Sequence, residues 1–81
     1  FKPPPTKTLI GILTMTEEDF RQTYRHSPVK RAKYTGLLRN ACIAAGNSSD
    51  KDLLPFLELL TTHENPIVSE CAKWAIRTIT G

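Results

Sequence analysis

Cysteine is scarce and poorly spaced for chemistry: the chain holds two, Cys42 and Cys71, with 28 residues between them. No CxxC, CxH or HxxxH spacing occurs, so no zinc or iron–sulfur site supplied by this chain alone is expected. Both cysteines fall in helical apolar patterns and read as buried, reduced thiols, which favours a reducing, cytoplasmic compartment. Long apolar runs are missing as well. The longest stretch without a charge, Asn40–Ser49, has ten residues, far short of the ~18 a membrane-spanning helix needs. No signal or transit peptide pattern is visible. Strand-like alternation is nearly absent: Thr8–Leu13 is the only candidate, and Gly11 interrupts it. That run reads as a loop or a short helical turn. No Ser/His/Asp order, HExxH pair or Gly-rich phosphate loop is present, so catalysis by this chain alone is not expected. The acids Glu17, Glu18 and Asp19 crowd one helix start, where the helix dipole accounts for them.

What remains is helix signal. The chain has 81 residues, 40% of them hydrophobic and 23% charged, which fits one small globular domain and neither a disordered nor a fibrous chain. Phe1 stands where a methionine would be, and Lys2-Pro3-Pro4-Pro5 reads as an extended polyproline II linker. The expectation is a fragment with further sequence upstream, and an extended arm over residues 1–15. Thr16 is an N-cap before three acids, and a short helix is expected over about Glu17–Arg25. Ser27-Pro28 starts a second helix running to about Ala45, with Gly46-Asn47 closing it. Ser48-Ser49-Asp50 caps a third, ending at Leu60 or Thr61, whose apolar face is Leu53, Phe56, Leu57 and Leu60. Asn65-Pro66 starts a fourth, ending at Thr78 or Ile79. Its arc carries Ile67, Cys71, Trp74 and Ala75, widened by Val68, Ala72, Ile76 and Ile79, so Trp74 reads as core. His63 reads as a solvated loop residue.

The layout repeats. Pro28 and Pro66 are 38 residues apart, and Val29, Leu38 and Arg39 align with Ile67, Ile76 and Arg77. A period near 40 with two helices per unit marks HEAT or armadillo solenoids. The expected fold is all-α: two HEAT-like helical hairpins, about four helices, over residues 16–47 and 50–80 of a domain spanning 16–81.

Charge is uneven. The net formal charge is +3, but Arg21, Arg25, Lys30, Arg31, Lys33 and Arg39 fall in one segment without an acid. Tyr24, His26 and Tyr34 lie among them. A confined basic block with interleaved aromatics is the footprint of a phosphate-backbone partner, and equally of a solvated basic face. On the second helix Tyr34, Leu37, Leu38, Ala41, Cys42 and Ala45 form one arc, and Val29, Ala32, Gly36 and Ile43 nearly the opposite one. Such a helix is packed between neighbours. Gly36 costs about 1 kcal/mol in helix propensity, so another element is expected to approach its backbone closely. A polar stripe, Arg31-Thr35-Arg39, runs between the arcs, with Lys30 and Lys33 on the other flank. Arg31 and Arg39 read either as contacts to RNA or as internal arginines satisfied by helix carbonyls. Asn40 and Asn47 read as structural.

The pattern Glu18-Asp19-Phe20-Arg21, Ser27-Pro28-Val29-Lys30-Arg31-Ala32-Lys33, Gly36-Leu37-Leu38-Arg39-Asn40-Ala41 and Ala44-Ala45-Gly46-Asn47 resembles the C-terminal region of the epoxyqueuosine reductase family. The match is specific from Met15 to Asn47 and more generic, as a HEAT-like tail, over 48–79. His26 departs from the small residue the family carries before Ser-Pro. The resemblance implies a cytoplasmic tRNA-modifying oxidoreductase, using cobalamin and [4Fe–4S] clusters, that completes queuosine synthesis in tRNA. It implies no cofactor in this segment, since the cluster and cobalamin regions would lie upstream in the same chain. It further implies that the segment helps hold the tRNA anticodon stem-loop, with Lys30, Arg31, Lys33 and Arg39 as the RNA-contacting residues. The alternative is a HEAT-type protein–protein interaction module without nucleic-acid binding.

Overall fold

The computed structural model describes residues 5–25 and 31–81, and of Arg31 and Ala32 only the backbone. Residues 1–4 of the expected polyproline start and the Ser27-Pro28 cap lie outside the described residues, and Pro5 is extended, with φ −57° and ψ 147°. The helices are α1 (Thr6–Leu13), α2 (Glu17–Thr23), α3 (Arg31–Ser48), α4 (Leu54–Leu60) and α5 (Pro66–Thr80), with a 3₁₀ turn at Lys51–Leu53 leading into α4. All regular structure among the described residues is helical, as the pattern predicts. A short helix followed by a long one occurs twice, α2 with α3 and α4 with α5.

The helix starts follow local chemistry. Thr16 accepts a hydrogen bond from the Asp19 amide at 3.0 Å, and the Asp19 carboxylate accepts one from the Thr16 amide at 3.2 Å. This capping box satisfies two amides that a helix start otherwise leaves without partners. Asn65 Oδ1 accepts from the amides of Ile67, at 2.9 Å, and Val68, at 3.4 Å. Pro66 sits at the first helical position, where its missing N–H costs nothing. His63 has a structural part in this cap. It is half-buried, and its Nδ1 accepts from the Asn65 amide at 3.0 Å.

Two segments differ from expectation. The stretch 8–13, read as a loop or short turn within an extended arm, belongs to α1, which buries Leu9 and Leu13 one turn apart. Two turns of helix containing Gly11 are not stable in isolation, so tertiary burial holds α1 in place. The Thr6 hydroxyl also donates to the Asp50 carboxylate, tying the start of α1 to the turn before α4. That bond, with a second from the Asp52 amide, holds the Asp50 carboxyl below its usual range. The other difference is the end of α3. The helix does not close at Gly46-Asn47 but continues to Ser48, and Ser49 takes the left-handed conformation with φ 57°.

Helix α3 is the spine, packing along α5 and also against α1 and α2. Its expected inner arc is buried at Tyr34, Leu38, Ala41, Cys42 and Ala45, with Leu37 half-buried. Leu53, Leu57 and Leu60 close the core from α4 and the turn before it, and Phe56 is half-buried against them. On α5 the buried line is Val68, Ala72, Ala75 and Ile79, rotated from the expected centre. Ile67 is 60% exposed and Trp74 is 38% exposed, so neither is core.

The two glycines of α3 both depart from their expected roles. Among the described residues, a Cβ at Gly36 would meet no atom of another element within 4 Å, so none of the described helices accounts for it. A Cβ at Gly46 would lie 2.6 Å from the Trp74 ring and 3.2 Å from the Ala75 Cα. The close approach of α5 is therefore at Gly46, with the Trp74 indole lying across it.

The cysteines are both free thiols, Cys42 buried and Cys71 half-buried. Burial, reinforced by the neighbouring Cys71 sulfur, pushes the Cys42 thiol up to about 12. Its protonated form is thus held by the fold, and this contribution to stability is complete below the ordinary value of 9.0 and gone by about 12. With iodoacetamide at pH 8, mass spectrometry is expected to show Cys71 modified first. Cys42 should react only at the rate of unfolding, because the thiolate is the nucleophile. Equal labelling rates in the folded chain would contradict this burial.

Candidate nucleic-acid interface

The basic block maps mainly onto α2 and α3. Arg21 is exposed and pairs with Glu17 at 3.3 Å across one helical turn, so its charge is partly spent on its own helix. Arg25 is exposed just beyond α2. Lys30 lies outside the described residues. Arg31 is the first described residue of α3, and its side chain is likewise outside the description. Lys33 and Arg39 are both exposed. For Arg39 this excludes the reading as an internal arginine. Six helical positions separate the two, which puts them about 120° apart around α3. The described part of the block thus wraps the helix instead of forming a single flat patch.

The aromatics among these charges divide. Tyr34 is buried, and its hydroxyl donates to the Met15 carbonyl at 2.8 Å. Its ring packs 5.6 Å from Phe20 and 6.5 Å from His63. Tyr34 therefore joins the α2, α3 and α4 ends together and offers no face to a base. The Tyr24 ring packs 4.7 Å from Phe20, tilted by 46°, and keeps a 44% exposed surface. His26 lies outside the described residues. Asn40 and Asn47 are exposed helical positions of α3.

Two concavities lined by described residues lie near these side chains. The wider, about 480 Å³, lies between the α1–α2 link and the α4–α5 link, with Tyr34 and His63 on its wall and Glu17 and Glu64 at its rim. Two carboxylates there oppose an anionic ligand. The smaller, about 180 Å³, is a notch between α3 and α5 lined by Thr35, Gly36, Arg39, Asn65, Ile67 and Val68. Sequence reasoning had Arg39 and Thr35 on one stripe but missed Asn65 and Ile67, which approach only through the α3–α5 packing.

Among the described residues, no group of three or more His, Cys, Asp or Glu could hold a metal ion. Cys42 and Cys71 do not fit an iron–sulfur cluster, which takes four ligands, and no chemistry through such a group is assigned to this segment. None of the described helices is long and apolar enough to cross a membrane.

Comparison with known proteins gives two relatives. Epoxyqueuosine reductase of Staphylococcus aureus (strain NCTC 8325 / PS 47) is 34% identical over 74 residues, covering 90% of this chain and 20% of the relative. Epoxyqueuosine reductase of Francisella cf. novicida (strain Fx1) is 37% identical over 73 residues, covering 86% of this chain and 20% of the relative. No family model and no solved structure matches. The chain spans about one fifth of the length of these curated relatives. Similarity that runs almost end to end, and not only across the helical repeat, makes this chain a sequence relative of the epoxyqueuosine reductase family over one fifth of such a protein.

Proposed function

We propose that this chain is the HEAT-like C-terminal domain of a tRNA-modifying oxidoreductase of the epoxyqueuosine reductase type, and that it holds the tRNA anticodon stem-loop for catalytic domains in the rest of that enzyme. One observation carries the reading. The segment with the specific family pattern is also the segment with all the clustered positive charge, and of its predicted RNA-contacting residues Lys33 and Arg39 are exposed. Lys30 and Arg31 join them in the proposal on the family pattern alone. The iron–sulfur clusters and cobalamin of such an enzyme belong to regions outside these residues. A solvated basic collar supplies non-specific phosphate affinity, while orientation comes from the shape of the stem-loop against the helices.

The test is titration of labelled tRNA against the 81-residue chain, read by fluorescence anisotropy. Raising salt from about 50 to about 200 mM is expected to weaken binding on the order of a hundredfold if some four phosphates are contacted. Lys33→Glu combined with Arg39→Glu should weaken it roughly tenfold or more and flatten the salt dependence, with helicity by circular dichroism unchanged. Undetectable or salt-insensitive binding would overturn the reading and leave a protein-interaction module in its place.

A further inference from the structure

We infer that the notch between α3 and α5 seats a single phosphodiester group of the bound RNA backbone, gripped by Arg39 and admitted by the missing side chain at Gly36. The inference rests on the RNA-binding reading above and identifies one point at which the nucleic acid is held.

The argument starts from Gly36. A glycine inside a helix costs about 1 kcal/mol relative to alanine. Such a cost is usually explained by a neighbour too close for a Cβ, as at Gly46. At Gly36 no described atom beyond the helix's own nearby backbone and the adjoining residues comes within 4 Å of the position a Cβ would take. The residue is nonetheless half-buried, because it forms part of the notch wall. The space a side chain would fill is therefore space kept in the concavity. Gly11 is equally unobstructed, but it lies on the exposed side of α1.

The chemistry of the notch selects an anion. No carboxylate lines it. Arg39 is exposed and takes part in neither the Arg21–Glu17 nor the Lys73–Glu70 ion pair. A guanidinium free to present its planar donor fork suits a phosphate. Asn65 adds a second donor type on the opposite wall, since its oxygen is used in the cap and its NH₂ is not. The α5 amides are not the attraction, because those of Ile67 and Val68 already bond to Asn65. Size narrows the choice. At about 180 Å³ the notch is smaller than the roughly 300–1,000 Å³ of sites that enclose a small molecule. It suits one group of a larger ligand that lies mostly outside.

The decisive experiment compares the wild-type chain with Gly36→Ala, Gly36→Leu and Arg39→Gln. Thermal unfolding and the salt dependence of tRNA binding are measured for each. Both glycine variants are expected to unfold no lower than wild type, since they add helix propensity in open space. Gly36→Leu should nevertheless bind tRNA roughly tenfold or more weakly. Its slope of log affinity against log salt should fall by about 1, matching Arg39→Gln. Combining the two changes should add little, because both remove the same contact. Wild-type-like tRNA affinity and slope in Gly36→Leu would overturn the inference while leaving the RNA reading intact. A large drop in melting temperature would also overturn it, by showing that Gly36 serves packing. Failure of the wild-type chain to bind tRNA in a salt-dependent way would overturn both together.

Discussion

Leu38→Ala is expected to lower the unfolding free energy by about 3 kcal/mol. Leu38 is completely buried in α3, the helix on which α1, α2 and α5 all pack. The truncation removes apolar burial and leaves a cavity that three surrounding elements cannot all collapse into. A chain of this length is stabilised by only about 4–12 kcal/mol. The loss is therefore a quarter or more of the total, and the melting temperature should fall by about 12–24 °C. Leu59→Ala is the control: Leu59 is 69% exposed, and its truncation should change stability by less than about 0.5 kcal/mol. Thermal melts followed by far-ultraviolet circular dichroism would check both. Near-equal shifts for the two leucines would mean that the core is not where α3 places it.

Gly46→Val should be comparably damaging for the opposite reason. Already the first carbon of a side chain would lie 2.6 Å from the Trp74 ring and 3.2 Å from the Ala75 Cα. The indole is partly exposed and can swing outward. The α5 backbone cannot move without disturbing Val68, Ala72 and Ile79. Overpacking costs about 1–3 kcal/mol, and the γ-carbons of valine put the expected loss near the upper end, about 3 kcal/mol. Gly46→Ala gains about 1 kcal/mol of helix propensity, so its net loss should be smaller, about 1 kcal/mol. Trp74→Ala introduced beside Gly46→Ala should recover part of that, because it frees the ring contact while the Ala75 contact remains. A double-mutant cycle measured by chemical denaturation reads this coupling directly. Strict additivity would show that the ring is not what Gly46 accommodates.

The contrast between Gly46 and Gly36 also shows what a sequence conveys about this fold. Features decided within a few residues are legible. Thr16 and Asn65 cap their helices as their side chains dictate, and the spacing of Leu53, Leu57 and Leu60 finds the inner face of α4. Features decided by which helix lies opposite are not legible. From the sequence alone, Gly46 followed by Asn47 has the form of a helix end, and only the position of α5 reveals a crossing point. The same limit displaced Trp74 and Ile67. Both lie within an apolar arc broad enough to permit more than one buried line, and packing chose Val68, Ala72, Ala75 and Ile79. Helix α1 was obscured by Gly11 between β-branched neighbours, a local preference outweighed by burial of Leu9 and Leu13. Of the candidate interface, the cations were visible as a charge run, but the notch joins residues near 36 to residues near 66 and has no linear signature.

The indole that crosses Gly46 has a practical consequence. The chain contains one tryptophan, and it stands at the α3–α5 seam, partly in water and partly against the backbone of the neighbouring helix. Its emission wavelength and its accessibility to a neutral quencher therefore report on one event, the separation of the two long helices. Far-ultraviolet dichroism sums over every helix in the chain. Following both signals through the same denaturant titration would show whether the two long helices part before, or only with, the loss of helical structure.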